Sequence, residues 1–165
     1  MKLKYIKTAL LIALSAGVIT TSSICINTAG AAPAMNTTVQ QAQSFVTVLP
    51  LNVVNNPKEY LNKNITMNAK FDKFSTLGLD YKPAFKSSDD YISFLIKRDD
   101  TTFNIPLSEM KLFLKRDKAE KFIDLKTNDE IQIKGKVFSD ALGDAWIDVE
   151  ELTVTKKAPD ENNGK

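Results

Sequence analysis

The segment "EIQIKGKVFSDALGDAWIDVEELTV" occupies residues 130–154 and carries the clearest strand pattern of this 165-residue chain. Apolar and polar side chains alternate over residues 130–138, which is typical of a strand with one buried face. The predicted inward positions of that strand are Ile131, Ile133, Gly135 and Val137. The polar stretch "SDALGD" predicts a turn, and residues 145–154 predict a returning strand. The whole segment therefore predicts an antiparallel hairpin.

Two details of this hairpin indicate a strongly curved sheet. Gly135 lies in the inward row, where the missing side chain lets a strand bend sharply. In the returning strand, Val149 and Leu152 are both predicted to point inward, although their positions differ by an odd number. One extra residue near Glu150 and Glu151 restores the alternation, which is what a β-bulge does. Such curvature favours a barrel.

The preceding chain predicts three further strands, at residues 65–74, 91–98 and 103–105. The first has the same two-residue alternation as the hairpin strand. Its predicted inward residues are Ile65, Met67, Ala69 and Phe71. The third is short, and we expect it to point Phe103 and Ile105 inward before Pro106 ends it.

Two short helices are predicted between these strands and before them. One begins at Pro57, with Asn56 as its cap. The other begins at Asp117, which can cap it. Its predicted buried face consists of Ala119, Phe122 and Ile123. Residues 108–114 fit either a helical turn or a short strand.

In chain order, the elements from residue 65 onward are strand, strand, strand, helix, strand and strand. That order resembles the OB-fold, a five-stranded Greek-key barrel with a helix between its third and fourth strands. The likeness covers residues 65–154, and Asn128 and Asp129 stand where many such domains have Gly-Asp. The predicted fold class is all-β, with one or two short helices and an OB-fold-like barrel. The chain is similar to small exported OB-fold proteins of bacteria, and OB-folds bind oligonucleotides, oligosaccharides, peptides and small ligands.

The first 34 residues have the order of a secretory signal peptide. Three lysines are followed by an apolar run at residues 8–20 and by small residues up to Ala31 and Ala34. The run is shorter than the roughly 20 apolar residues that a spanning helix needs. We predict cleavage after Ala31 or Ala34 and a periplasmic or secreted protein without a membrane span. An uncleaved anchor is the alternative.

The remaining chain predicts one domain with two loose ends. Residues 35–44 are polar and predict a flexible lead, and residues 156–165 predict a disordered tail. Residues 45–155 predict the OB-fold-like domain, a length that suits a single domain.

The composition excludes several chemistries. The sequence has no His, and its single Cys, Cys25, lies in the predicted signal peptide. Thiolate nucleophiles, Ser-His-Asp triads and metal sites with Cys or His ligands are therefore excluded from the processed chain. Without the three signal lysines, 19 basic residues face 20 acidic ones, which gives a net charge of −1. The basic balance typical of non-specific nucleic-acid binding is therefore missing.

The loop at residues 75–90 is long and unusually apolar. One interpretation is a ligand-gripping flap, with Tyr81 and Phe85 as stacking platforms and Lys86 as a charge partner. The other is that the loop folds back, so that its apolar residues cover an open end of the barrel. We favour the second interpretation.

Four residues are predicted to point outward by strand alternation and to form an aromatic-edged groove: Tyr91, Leu95, Lys97 and Trp146. Trp and Tyr are enriched at binding surfaces, so this groove is a candidate ligand site. The alternative is that the apolar N-terminal segment at residues 45–51 packs over the same face. Both remain open.

The turn at residues 139–144 holds Asp140 and Asp144, which are weak candidates for a metal site. Solvated, turn-forming acids are the favoured interpretation.

We predict no cofactor and no catalytic residues. The predicted function is a non-catalytic binding or accessory module of the cell envelope, whose partner is an envelope protein, a saccharide or a small ligand. One alternative is single-stranded nucleic-acid or oligosaccharide binding through the barrel face, and the other is a carboxylate-based hydrolase, with or without a metal ion.

Overall fold

The computed structural model describes residues 44–159, which all fall in the unit Gln40–Lys165. The predicted signal peptide, its cleavage sites and nearly all of the predicted lead lie outside the described residues, as does the chain from residue 160 onward. Within residues 44–159, no helix is long and apolar enough to cross a membrane.

The described residues contain six strands: β1 Val46–Thr47, β2 Asn64–Ser75, β3 Tyr91–Ile96, β4 Met110–Lys115, β5 Glu130–Ser139 and β6 Ala145–Lys156. Strand β2 pairs antiparallel with β3 on one side and with β5 on the other. The ring is closed by antiparallel β3–β4, parallel β4–β6 and antiparallel β6–β5 pairing. Strand β1 adds two residues parallel to β2. The predicted fold class, an OB-fold-like five-stranded barrel, is confirmed.

The barrel interior matches the alternation of the sequence. In β2, Ile65 and Met67 are fully buried and Phe71 is nearly so. In β5, the buried residues are Ile131, Ile133, Gly135 and Val137. Because side chains alternate between the two faces of a strand, these residues fill the inside while their neighbours face outward.

The predicted β-bulge is present in β6. Lys134 of β5 pairs with Glu151, but the next residue, Gly135, pairs with Val149, so Glu150 is the extra residue. A Cβ atom on Gly135 would lie 2.4 Å from the carbonyl oxygen of Asp148. Only glycine therefore allows β5 and β6 to approach this closely beside the bulge.

The predicted third strand is wrong. Residues 103–105 form no strand, and the Phe103 and Ile105 side chains are 74% and 46% exposed. The third barrel strand is β4, within the stretch that the pattern left open. Five of its six residues are buried, because both of its faces are covered. A strand buried on both faces shows no alternation, which is why the pattern does not reveal it.

The chain before β2 closes the barrel with two short helices, α1 Pro50–Asn55 and α2 Pro57–Tyr60. The predicted start at Pro57 is confirmed, although Asn56 makes no side-chain cap. Val53 of α1 is fully buried in the main core, and Val48 and Leu51 pack against that core. The alternative in which this segment covers the outer face of β3 is therefore wrong.

The helix between the third and fourth barrel strands is present and short. It consists of α3, Arg116–Ala119, and a 3-10 turn at Glu120–Phe122. Ala119 is buried, but Ile123 is 76% exposed, so its predicted inward position is wrong. A 3-10 turn has three residues per turn, so the spacing of an α-helix no longer applies after Ala119.

Asp129 is fully buried and ties the start of β5 to the chain after β6. Its carboxylate accepts hydrogen bonds from the backbone N–H groups of Lys126 and Ala158, at 2.9 and 2.8 Å, and from Lys157 Nζ at 2.9 Å. Burial raises the pKa of Asp129, but these donors outweigh it and hold the pKa below its usual value. The folded chain thus continues past residue 155 to Ala158.

Candidate binding face of the barrel

In OB-folds, ligands usually bind the outer face of the second and third barrel strands, between two flanking loops. Here those strands are β3 and β4, and the loops are residues 76–90, called the cover loop below, and the turn at residues 140–144. The face is not open. An outer cluster lies on it, made of buried Ala84, Phe113 and Trp146 with Leu79, Tyr81, Tyr91, Phe138 and Ala141 packed around them.

Trp146 is the centre of this outer cluster. Its ring stacks with Tyr81, at a centroid distance of 5.3 Å, and with Phe113, at 5.7 Å. Its indole N–H donates a hydrogen bond to the Ala141 carbonyl oxygen at 2.7 Å. The residue is only 1% exposed. Trp146 points outward as its parity predicts, but it is not exposed, because the cover loop lies over it.

The cover loop reaches the rings through Gly78. A Cβ atom at this position would lie 3.1 Å from ring carbons of both Phe113 and Trp146, so the backbone itself rests on the two rings. Gly78 also has φ +83, which side-chain-bearing residues rarely adopt. The loop therefore folds back, as the favoured interpretation has it, but it covers the outer face of the barrel rather than an open end.

Lys86 fastens the second half of the cover loop to the same face. Its ammonium group forms an ion pair with Asp148 of β6. It also lies 4.6 Å from the ring centroid of Tyr91 and 4.8 Å from that of Phe138. The Lys86 side chain is 15% exposed. A cation so placed between two rings and a carboxylate is stabilised by cation–π attraction and by the ion pair.

A carboxylate inside the cover loop holds the loop's own shape. Asp80 Oδ1 accepts a hydrogen bond from the backbone N–H of Ser88 at 2.9 Å. Hydrogen bonds from the side chain and the backbone of Ser88 lower the pKa of Asp80. The backbone N–H of Asp80 donates in turn to the Lys86 carbonyl oxygen. The two halves of the loop are thereby joined across its neck.

The structure brings together four of the seven predicted ligand-binding residues: Tyr81, Lys86, Tyr91 and Trp146. Phe85 lies beside them and is 60% exposed. Leu95 and Lys97 are each 7% exposed, so their predicted place in an open groove is wrong. The Lys97 ammonium donates to Asn104 at 2.9 Å, so the chain that follows β3 folds against it.

Of the two weak metal candidates, one is already engaged in an ion pair. Asp144 forms an ion pair with Lys111 of β4 at 2.8 Å, and both side chains are largely buried. Asp140 lies at the start of the turn and accepts a backbone hydrogen bond from Gly143 through its carbonyl oxygen. Among residues 44–159, no group of three or more acidic side chains could hold a metal ion.

Sequence reasoning missed three residues that build this face: Phe113, Phe138 and Asp148. Phe113 lies in β4, whose buried faces hide the strand pattern. Phe138 and Asp148 are both outward by the alternation of β5 and β6, which usually means solvent exposure. The available signal for Phe138 and Asp148 was that their parity places them on the same face as Trp146, in strands that the sequence predicts.

No protein-family model and no curated protein matches the sequence. Among solved structures, the chain is similar to asparaginyl-tRNA synthetase from Pyrococcus horikoshii, with 19% identity, a TM-score of 0.46, and coverage of 67% of this chain and 23% of that one. It is also similar to an OBody bound to hen egg-white lysozyme, with 14% identity, a TM-score of 0.42 and coverage of 62% and 84%.

The chain thus spans about a quarter of the length of the synthetases that it resembles. At such identities a likeness concerns the fold alone, and what those proteins bind remains a property of those proteins. The strand order of the barrel and the helix between its third and fourth strands make the described chain an OB-fold-like domain.

Proposed function

We propose that the chain is an exported, non-catalytic binding module of the cell envelope, and that it contacts a protein partner through an apolar rim. The rim consists of Leu77 and Phe85 in the cover loop and Leu142 in the turn at residues 140–144. These side chains are 38%, 60% and 72% exposed. Large apolar side chains grouped on a surface are typical of protein contacts.

Each of the three rim residues is next in sequence to a residue that contacts the outer cluster. Leu77 precedes Gly78, whose backbone rests on the rings of Phe113 and Trp146. Phe85 follows Ala84, a buried member of the cluster. Leu142 follows Ala141, whose carbonyl oxygen accepts the Trp146 N–H. Each rim residue is therefore one position away from a residue that contacts the cluster, about 3.8 Å along the backbone.

The conformation of Leu142 is the observation that carries the proposal. Its φ is 62, in the left-handed region that glycine and asparagine adopt readily. A left-handed leucine costs roughly 1–2 kcal/mol, and the exposed side chain recovers little of that in the isolated chain. A strained residue that holds an apolar side chain in solvent is more readily explained by a partner than by stability.

Export rests on the predicted signal peptide, which lies outside the described residues. The absence of His from the sequence and the location of the single Cys in that peptide favour binding over nucleophilic or imidazole-based catalysis. Single-stranded nucleic-acid binding is disfavoured for two reasons. Trp146 stacks on the chain's own Tyr81, and the nearby Lys86 and Lys111 already form ion pairs.

Two measurements test the proposal. The N-terminus of the protein recovered from the envelope or the medium should begin after Ala31 or Ala34. The immobilised protein should retain a partner from envelope extract, and the double variant Phe85→Ser, Leu142→Asn should lose it. Ile123→Ser, at a residue similarly exposed but just after the 3-10 turn that follows α3, is the matched control and should retain the partner.

Equal retention by the rim variant and the control would contradict the proposed contact surface. Release of the partner by an oligosaccharide or a single-stranded oligonucleotide would replace the protein partner with that ligand class. Leu142→Asn should not lower the free energy of unfolding and should raise it by up to about 1 kcal/mol, since asparagine tolerates the left-handed conformation. Urea unfolding measures that difference.

A further inference from the structure

The ammonium group of Lys86 is bound on the barrel as a ligand would be. Three residues surround it: Tyr91 from β3, Phe138 from β5 and Asp148 from β6. Two rings lie within 5 Å of the Lys86 nitrogen, measured to their centroids, and a carboxylate neutralises its charge. An aromatic cage with an acidic member is the arrangement by which proteins recognise alkylammonium groups.

The cage belongs to the barrel, whereas the cation belongs to the cover loop. All three are strand residues: Tyr91 and Asp148 have paired backbones, and Phe138 is the extra residue where the register of β5 shifts between Val137 and Ser139. Lys86 lies in a segment that reaches the face only because the loop folds back. The rigid part of the site therefore exists independently of the residue that fills it, and lifting the loop would leave it empty.

The face beneath the loop also contains a polar group without a partner. Ser93 is 1% exposed, and by alternation it lies on the same face of β3 as Tyr91. Its hydroxyl is the buried side-chain polar atom of residues 44–159 that finds no hydrogen-bond partner. An unpaired buried hydroxyl is unfavourable, so the closed loop does not satisfy everything that this face offers.

We propose that Tyr91, Phe138 and Asp148 form a binding site for a primary ammonium group, and that Lys86 fills this site from within the chain when the cover loop is closed. The external ligand is a primary alkylamine, either a lysyl side chain of a peptide or a free diamine. It displaces the Lys86 ammonium from the cage. This site goes beyond the proposed contact at the apolar rim and does not depend on it.

Chemical rescue tests the site directly. The substitution Lys86→Ala keeps Cβ and removes three carbon atoms and the ammonium nitrogen. The space left in the cage therefore matches n-propylammonium in length. We expect n-propylammonium to raise the melting temperature of this variant and to change the fluorescence of Trp146, the single tryptophan. Both effects should saturate, with a midpoint on the order of millimolar, as expected for so small a ligand. The neutral isostere n-propanol should have no such effect.

The matched variants identify the cage. The parent protein should show no saturable response to n-propylammonium at the same concentrations, because Lys86 occupies the site. The double variant Lys86→Ala, Asp148→Asn should lose the response, since the carboxylate is gone. Lys86→Met keeps the aliphatic stem and should remain closed and unresponsive, which also controls for any loss of folding in Lys86→Ala.

A folded Lys86→Ala that ignores n-propylammonium, or that responds equally to n-propanol, would overturn the proposal. So would an unchanged response in the double variant. The source of the ligand is then separated on Lys86→Ala, whose cage is empty, by titration with N-acetylated, C-amidated Gly-Lys-Gly and with cadaverine, each repeated on Lys86→Ala, Asp148→Asn. Tighter binding of the peptide identifies a lysyl side chain, and tighter binding of cadaverine identifies a diamine. A negative result here does not contradict the proposed contact at the apolar rim, because the rim variants keep the cage intact.

Discussion

Two long loops flank β3, one before it and one after it, and they differ in what they do with apolar side chains. The cover loop, residues 76–90, buries Ala84 and packs Leu79 and Tyr81 on the outer cluster. The loop at residues 97–109 leaves Phe103 and Ile105 largely exposed. That second loop is held by Arg98, which forms ion pairs with Asp100 and Glu109 at 3.0 and 2.6 Å.

The difference shows that the surface available to a loop decides its arrangement, and that apolar composition alone does not. The cover loop lies above Phe113 and Trp146, two stacked rings that a backbone can contact closely at Gly78. Neither Phe103 nor Ile105 belongs to either buried cluster of the described residues. The cover loop is therefore stabilised by burial. The second loop buries Leu107 in the main core near its end, whereas its residues 98–105 rely on exposed ion pairs, which contribute little.

The largest expected effect comes from removing the platform. Trp146→Ala should lower the free energy of unfolding by about 3–5 kcal/mol, since a fully buried indole and its hydrogen bond are lost. Phe103→Ala, in the exposed loop, should change it by less than about 0.5 kcal/mol. Urea unfolding of both variants, monitored by circular dichroism, measures the contrast. Similar losses in the two variants would mean that the loops do not differ in burial.

A smaller effect should separate close contact from backbone conformation. Gly78→Ala forces a left-handed alanine and also presses its Cβ against two rings, at a cost of about 2–4 kcal/mol. Gly143→Ala is the control: its φ is +78, but its Cβ would meet nothing within 4 Å. It should cost about 1 kcal/mol. If both variants lose the same stability, the cover loop does not rest on the rings as described.

The smallest effect concerns one carboxylate in each loop. Hydrogen bonds from Ser88 lower the pKa of Asp80, and the hydrogen-bonded Arg98 lowers the pKa of Asp100, both from the usual 3.8. Each group therefore contributes stability that is present above about pH 3.8 and is lost as the pH falls through the lowered pKa. Salt screens an exposed ion pair but hardly affects a hydrogen bond to a backbone N–H.

We therefore expect added NaCl to move the pKa of Asp100 back towards its usual value and to leave that of Asp80 low. Carboxyl carbon chemical shifts, followed by NMR across the acid range at low and high salt, measure both groups in one sample. Equal salt dependence at the two positions would contradict the assignment of one loop to ion pairing and the other to hydrogen bonding.

The barrel interior was predictable because its signal is local. The alternation in β2 and β5, the inward Gly135 and the change of parity at Glu150 all lie within single segments, and the structure confirms each of them. The prediction of a short strand around Phe103 is wrong for a physical reason. Strand β4 is buried on both faces, so it carries no alternation and is hidden in an apolar stretch.

The outer cluster was only partly predictable because it is assembled from distant segments. Parity correctly places Trp146 on the outside of β6, but exposure depends on whether another part of the chain covers it. The Lys86–Asp148 pair joins residues that are 62 positions apart. No periodicity within one segment reports such a contact. The apolar composition of the cover loop gave the one usable hint, and it did not say which face the loop would cover.

The burial of Trp146 is the most direct test of a barrel face closed by its own loop. Because Trp146 is the single tryptophan, acrylamide quenching of the folded protein reports on this residue alone. We predict blue-shifted emission and a quenching constant far below that of the urea-unfolded chain, with Gly78→Ala raising it while the protein stays folded. A quenching constant in the folded parent equal to that of the unfolded chain would contradict the closed face.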